Sequence, residues 1–183
     1  MAFKLAFVGF RHGHINSLYA LAAAAADVTI AGACEEHGET RERLRQAGGV
    51  AITHSDYGRL LDEVECDAVA VGDAFGLRGQ RAVEALSRGR HVIADKPPCT
   101  RLAELERMEA LTRSRGLRLG CMLTMRDAGQ MRKVRELLAA GAIGQVHAIT
   151  FGGQHPLLLG SRPGWYFEPG MHGGTINDIG IHA

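Results

Sequence analysis

Lys96 follows His91-Val92-Ile93-Ala94-Asp95, a short apolar run that ends in a charged pair and two prolines. In an open parallel sheet, ligands sit beyond the carboxyl ends of the strands, so a lysine there is placed where chemistry would be. Pro97 and Pro98 restrict the backbone that presents it. A surface lysine closing a strand before a turn is the plain alternative.

Asp178 and His182 lie four residues apart in Gly173-Gly174-Thr175-Ile176-Asn177-Asp178-Ile179-Gly180-Ile181-His182. On a helix they would share a face and could divide proton transfer and substrate orientation between them. An exposed helix pair has the same spacing, so the pair alone does not specify catalysis.

A third group is a turn. Phe3 to Gly9 reads as a buried strand ending in glycine, and Gly9-Phe10-Arg11-His12-Gly13-His14 then opens a helix of small residues. Such a turn sets a pyrophosphate on a helix N-terminus, where free amides and the helix dipole attract it. The standard fingerprint is Gly-x-Gly-x-x-Gly, and Arg11 replaces its second glycine. Arg11, His12 and His14 would flank the cofactor or cap the turn, with Arg11 offsetting phosphate charge. A metal-binding reading of His12-Gly13-His14 lacks a third ligand nearby in sequence, so no metal is expected. The second strand ends Ala33-Cys34-Glu35-Glu36, where an acidic residue should meet ribose hydroxyls. Glu35 is the candidate, and a carboxylate there would favour NAD over NADP. A solvated Glu-Glu pair opening a helix is the other reading.

Strands and helices must alternate to position these groups. Apolar runs at 28–33, 67–71, 91–94 and 117–123 read as strands. Helices are expected over 14–26, with Leu18, Leu21, Ala22 and Ala25 on one face, and over 40–47, 79–87 and 102–115. Strands that are nearly all apolar imply a parallel sheet covered on both faces. The fold class is therefore α/β, a doubly wound Rossmann sheet over residues 1–123. Regularity changes near residue 124. A charged helix over 127–140, a half-buried strand over 145–151 and a loop rich in glycine, proline and aromatics follow. These cannot bury a core alone, so 124–183 is read as the start of an incomplete second α/β domain.

The formal net charge of +1 gives no case for nucleic acid or an anionic membrane surface. The longest apolar run, Leu18 to Ala26, is too short to span a bilayer, and no signal peptide is evident. Cys34, Cys66, Cys99 and Cys121 form no Cys-x-x-Cys pair and read as reduced thiols in a cytoplasmic protein. A small molecule is the expected partner.

In order, these segments resemble the glucose–fructose oxidoreductase / inositol dehydrogenase family, Gfo/Idh/MocA. The matching residues are Asp95-Lys96-Pro97 and the stretch from Gly173 to His182. Ala85-Leu86, Gly89-Arg90-His91-Val92, Gly141-Ala142-Ile143-Gly144-Gln145-Val146 and Trp165 add to them. The resemblance covers essentially the whole chain. It implies a Rossmann domain followed by a domain with a large, mostly antiparallel sheet that often mediates homo-oligomers. It also implies hydride transfer between NAD(P) and a hydroxyl or carbonyl of a sugar, polyol or related compound. Lys96 would hydrogen-bond the reacting oxygen, His182 would act as acid/base, and Asp178 would orient substrate or histidine.

Three positions depart from the family pattern. Arg11 replaces a glycine, Asp95 replaces a glutamate, and Gly72 to Arg78 lacks a Thr-Pro-Asn, so Asp73 would contact ribose or disfavour phosphate. Lys96 would also border the cofactor. The chain stops inside the segment that carries His182, which leads to the expectation that the substrate-binding sheet is missing. A non-catalytic dinucleotide-binding sensor is the competing class, and retention of Lys96, Asp178 and His182 argues against it.

Overall fold

The computed structural model describes residues 2–152 and 156–182. Five parallel strands form one sheet in the order β2-β1-β3-β4-β5: β1 Phe3–Val8, β2 Val28–Cys34, β3 Ala68–Val71, β4 His91–Ala94 and β5 Leu119–Cys121. The helices α1 His14–Ala24, α2 Gly38–Ala47, α3 Tyr57–Glu63, α4 Phe75–Ser87 and α5 Leu102–Arg115 join them. β1 and β3 are neighbours although β2 intervenes in sequence, so the strand order reverses between them. A crevice opens outside their carboxyl ends, the usual ligand position in doubly wound sheets.

The apolar character of the strands is matched by burial: Ala6, Phe7, Val8, Val69, Ala70 and Val71 are fully buried. One core face gathers Phe7, Phe10, Ile15 and Tyr19, with the Phe7 and Tyr19 rings 4.9 Å apart edge to face. The other gathers Leu60, Val69, Leu86 and Met108. Each large side chain moved out of water contributes roughly 1.5–3 kcal/mol before entropy is subtracted.

Several expectations shift. The buried face of α1 is Ile15, Tyr19 and Ala22, while Leu21 is exposed, because the helix starts at His14 and turns its aromatic residue toward Phe7. α3 was not expected; its N-cap Asp56 accepts a bond from the Arg59 amide, and Leu60 and Leu61 face the core. α4 begins four residues earlier than expected, at Phe75.

Beyond β5 the chain changes character. Helix α6, Gly129–Ala139, has no buried residue. Residues 145–151 form no strand: no neighbouring strand meets their amides among the described residues, and Ile149 and Phe151 are exposed. Further on, a 3-10 turn at Gly164–Phe167 and the four-residue helix α7, Thr175–Asp178, return to the sheet's carboxyl edge. The Gly76 amide donates to Met171 O at 2.7 Å, and a Cβ on Gly76 would lie 2.1 Å from Gly170 O. That close backbone approach docks the late segment on the first turn of α4. Trp165 then packs on Phe75, with ring centroids 5.2 Å apart.

Candidate active site

The crevice holds three charged arrangements, each assembled from residues far apart in sequence. The first is the turn after β1. Gly9 has φ +76, and a Cβ there would lie 2.4 Å from Asp73 Cβ. The turn is thus pressed against the end of β3, and the Asp73 amide donates to Gly9 O at 2.9 Å. Replacing Gly9 by alanine is expected to cost about 2 kcal/mol or more, from the left-handed backbone and the clash with Asp73. Chemical denaturation measures it, and an unchanged midpoint would contradict this packing. Gly13 is different: nothing lies within 4 Å of a Cβ built on it, and no side chain caps the α1 N-terminus. Space is therefore open beside Gly13, at the start of α1.

Arg11 occupies the place of the missing glycine. Its Nε donates to Asp73 Oδ1 at 2.5 Å, and Arg81 meets Asp73 Oδ2 at 2.8 Å. Asp73 is fully buried at φ +80, a costly backbone for a non-glycine residue that the two guanidiniums hold. It is therefore shut away from any ribose, which corrects the expectation for it. Glu35 is likewise fully buried, and its carboxylate accepts the Phe10 amide at 2.5 Å and the His37 amide at 2.7 Å. Burial pushes its pKa up, against those two bonds. Glu35 braces the turn and offers no free oxygen to ribose, so its tilt toward NAD does not stand on this geometry. The adjacent Glu36 faces outward, paired with Arg81 at 2.9 Å. On either side of Arg11 and His37 lie cavities of about 370 and 460 Å³, one bordered by Arg43 and Trp165, the other by Tyr57, Leu77 and Gln80.

The second arrangement centres on Asp95, fully buried at the end of β4. Its Oδ2 accepts from Arg78 at 2.7 Å and lies 2.8 Å from His12 Nδ1. Its Oδ1 accepts the Lys96 amide at 2.8 Å and lies 3.1 Å from His14 Nδ1. Burial opposes ionisation, but the bonds to His12 and His14 and the charge of Arg78 hold the carboxyl well below its usual range. Arg78, also fully buried, reaches further: it donates to the carbonyls of Gly72, Asp73, Lys96 and Pro97. Burial lowers its pKa to about 10 against the pull of Asp95 and Asp73, so it stays charged at neutral pH. It fixes the backbone on both sides of Lys96, a role that no motif in the sequence indicated.

The third arrangement is at Lys96 itself. Nζ donates to Asp178 Oδ1 at 2.8 Å and to Asp178 O at 2.9 Å. Tyr166 Oη donates to Asp178 Oδ2 at 2.7 Å, and His172 Nε2 lies 3.2 Å from the same oxygen. Burial opposes ionisation here too, but these partners, Lys96 first, hold Asp178 well below the carboxylate range. Burial and its bond to Asp178 raise Tyr166 to about 12. Tyr166 and His172 were missed in the sequence; the aromatic cluster before the glycines was their only signal. A small cavity of about 240 Å³ borders Tyr166, His172 and Asp178.

His182 does not share a helical face with Asp178. α7 ends at Asp178, and His182 sits in a 3-10 turn at Gly180–His182 because Gly180 interrupts the helix. Its Nδ1 is buried without a hydrogen-bond partner among the described residues. Burial, then the charge of Lys96, lowers its pKa. The structure thus brings Lys96 and Asp178 together and ties His12 and His14 to Asp95, while turning Glu35 and Asp73 inward.

A family model described as an oxidoreductase family with an NAD-binding Rossmann fold matches residues 3–123. A second, the GFO/IDH/MocA C-terminal domain, matches 131–183. A dTDP-3,4-didehydro-2,6-dideoxy-alpha-D-glucose 3-reductase from Streptomyces violaceoruber is 32% identical over 69% of this chain and 36% of its own length. A 1,5-anhydro-D-fructose reductase from Ensifer adhaerens is 30% identical over 73% of this chain and 40% of its own. A 3-ketoreductase from Actinomadura kijaniata, solved with NADP, superposes with a TM-score of 0.66 at 25% identity, covering 79% of this chain and 46% of that one. The matched part of the chain spans 36%, 40% and 46% of these relatives' own lengths. No helix among the described residues is long and apolar enough to cross a membrane.

Proposed function

The chain belongs to the GFO/IDH/MocA oxidoreductase family, and from that premise we propose that it carries the cofactor half and the reacting end of an NAD(P)-dependent oxidoreductase acting on a sugar, polyol or keto-sugar. The observation that carries this reading is the Lys96–Asp178 pair, buried together at the carboxyl edge of a Rossmann sheet. The names of the relatives support the substrate class: one is a reductase of a dideoxy-keto-sugar nucleotide, the other of an anhydro-ketose.

The turn fits a dinucleotide. Gly13 is open on its outer side, the α1 N-terminus has no side-chain cap, and Gly9 leaves no room for a side chain. The amides from Gly13 onward would hold the pyrophosphate, with Arg11, His12 and His14 beside it. The dinucleotide, when bound, supplies or accepts the hydride. With Glu35 buried, NAD and NADP both remain compatible with this crevice.

Lys96 acts on the substrate oxygen. Its cation lowers the energy of an alkoxide as the carbon–oxygen bond order changes, and Asp178 holds it in place from two oxygens. Tyr166 and His172 fix the far oxygen of Asp178, so the carboxylate cannot rotate toward substrate without losing them. His182, with Nδ1 unpaired among the described residues and its pKa depressed, exchanges the substrate proton. It is neutral at pH 7, as a general base must be. Oxidation should therefore run at a plateau through neutral pH and fall only below about pH 6.5, the ordinary histidine value, as the imidazole protonates. A pH–rate profile of alcohol oxidation measures this, and a midpoint above pH 7 would contradict it.

We further propose a boundary near residue 124, with 124–183 as the start of the substrate domain. The free thiols fit a cytoplasmic setting. The exposed Ile143, Ile149 and Leu159 fit association with further protein surface, as in a homo-oligomer. The reaction itself is tested with NADH carrying deuterium at both C4 positions of the nicotinamide ring and a panel of keto-sugars. Deuterium should appear on the carbinol carbon of the product. Reduction without label transfer would overturn direct hydride transfer.

A further inference from the structure

We propose that His12, His14 and Asp95 form a binding site for one divalent transition-metal ion of the zinc type. The sequence shows only His12-Gly13-His14, two ligands short of a closed shell. The fold supplies a third from 81 residues away, because β4 ends beside the turn after β1. One donor atom from each of the three residues lies within 4.8 Å of the others.

The spacing suits a small ion. His12 Nδ1 is 2.8 Å from Asp95 Oδ2, and His14 Nδ1 is 3.1 Å from Oδ1. Donors sharing a tetrahedral ion at zinc-like bond lengths stand about 3.3 Å apart, close to both nitrogen–oxygen separations, and rotation of the half-exposed His14 ring would draw in three donor atoms that already lie within 4.8 Å of one another. The ion would take the place of the imidazole protons that now bridge to the carboxylate. Two nitrogens and one carboxylate oxygen leave at least one position for water, the open-shell donor set of catalytic rather than structural zinc. That donor set favours zinc, cobalt, nickel or copper over magnesium and calcium, which prefer all-oxygen shells.

Outer contacts hold two ligands in place. Asp95 is gripped by Arg78 and by the Lys96 amide, bonds that need not break when an ion replaces the histidine protons. The His12 ring stands edge-on to Phe75 at 5.2 Å and to Trp165 at 6.2 Å. His14 is half exposed and gives a path of entry. The Arg78 charge on Asp95 opposes a second cation and limits affinity, which again disfavours ions that bind by charge alone. Such an ion would sit beside the Gly9–Gly13 turn and Lys96, in the way of a dinucleotide. That consequence rests on the function proposed above, whereas the metal site does not.

Tag-free protein of the full chain, titrated with zinc against a chromophoric chelator, should bind one equivalent. His14→Ala should weaken binding by at least about 10–100-fold, and His147→Ala, at an exposed histidine elsewhere, should leave it unchanged. Magnesium should not compete. Histidine ring-nitrogen NMR of the parent chain provides a readout that needs no variant: zinc should move the Nδ1 resonances of His12 and His14. Absence of a one-equivalent site, or His14→Ala binding as tightly as the parent, overturns the proposal. NADH binding is measured separately without metal, so loss of one does not stand for loss of the other.

Discussion

Replacing Lys96 by alanine or methionine should lower turnover by about 10²–10³-fold or more, the effect of removing one preorganised donor from a developing oxyanion. Dinucleotide affinity should change little, because the amides at the α1 N-terminus lie on a different element. Two features separate this from a folding defect. Methionine keeps most of the stem volume inside a pocket where Lys96 is only 7% exposed. Asp178 also keeps Tyr166 and His172 as donors when the lysine is gone, so the variant loses some stability but the carboxylate is not orphaned and the fold persists. Circular dichroism and NADH binding should therefore match the parent while turnover collapses. A methionine variant with full turnover would remove Lys96 from the mechanism.

Arg78→Met should destabilise the protein by about 3–5 kcal/mol, because it removes one partner of a fully buried ion pair and leaves the other charge behind. Asp95 would keep its bonds to His12, His14 and the Lys96 amide, yet lose its only permanently charged partner among the described residues. Four carbonyls, of Gly72, Asp73, Lys96 and Pro97, would lose their donor in the same step. For a chain of this size the melting temperature should drop by roughly 6–20 °C. Activity should fall as well, since the backbone on both sides of Lys96 loses its anchor. A melting temperature within roughly 2 °C of the parent would contradict the view of Arg78 as the strut beneath Lys96.

The sheet was legible because a buried parallel strand needs apolar residues on both faces, and Ala6 to Val8 and Ala68 to Val71 have them. Lys96 was legible for a related reason: a charged residue directly after such a strand stands at the sheet's carboxyl edge. The ends of the elements were harder. α3 is seven residues long with two polar turns around it, too short for periodicity to register. Residues 145–151 alternate as a strand should, but a strand needs a partner for its amides, and alternation carries no information about whether one exists.

The site was half legible. Glu35 stands where a ribose carboxylate belongs, yet the amides of Phe10 and His37 compete for its oxygens and turn it inward. Nothing local to Glu35 announces those donors, since one comes from a different strand–helix turn. Asp73 was misread for the same reason, its two guanidinium partners lying 62 residues before it and 8 residues after. Arg78, Tyr166 and His172 belong to no recognisable spacing, because their roles come from tertiary docking of one segment on another. Strand topology alone thus puts Lys96 at the sheet's edge, whereas distant partners decide which way Glu35 and Asp73 face.

Trp165 is the only tryptophan in the chain, packed on Phe75 and bordering the cavity beside Arg11. Its emission overlaps the absorption of reduced nicotinamide, so it reports directly on whether a dinucleotide enters this crevice. Titration with NADH should quench Trp165 saturably and sensitise NADH emission. Gly13→Asp, which puts a carboxylate against the phosphate-facing end of α1, should abolish both signals. Linear, non-saturating quenching in the parent, or saturable quenching that survives Gly13→Asp, would contradict the assignment of this crevice to the dinucleotide.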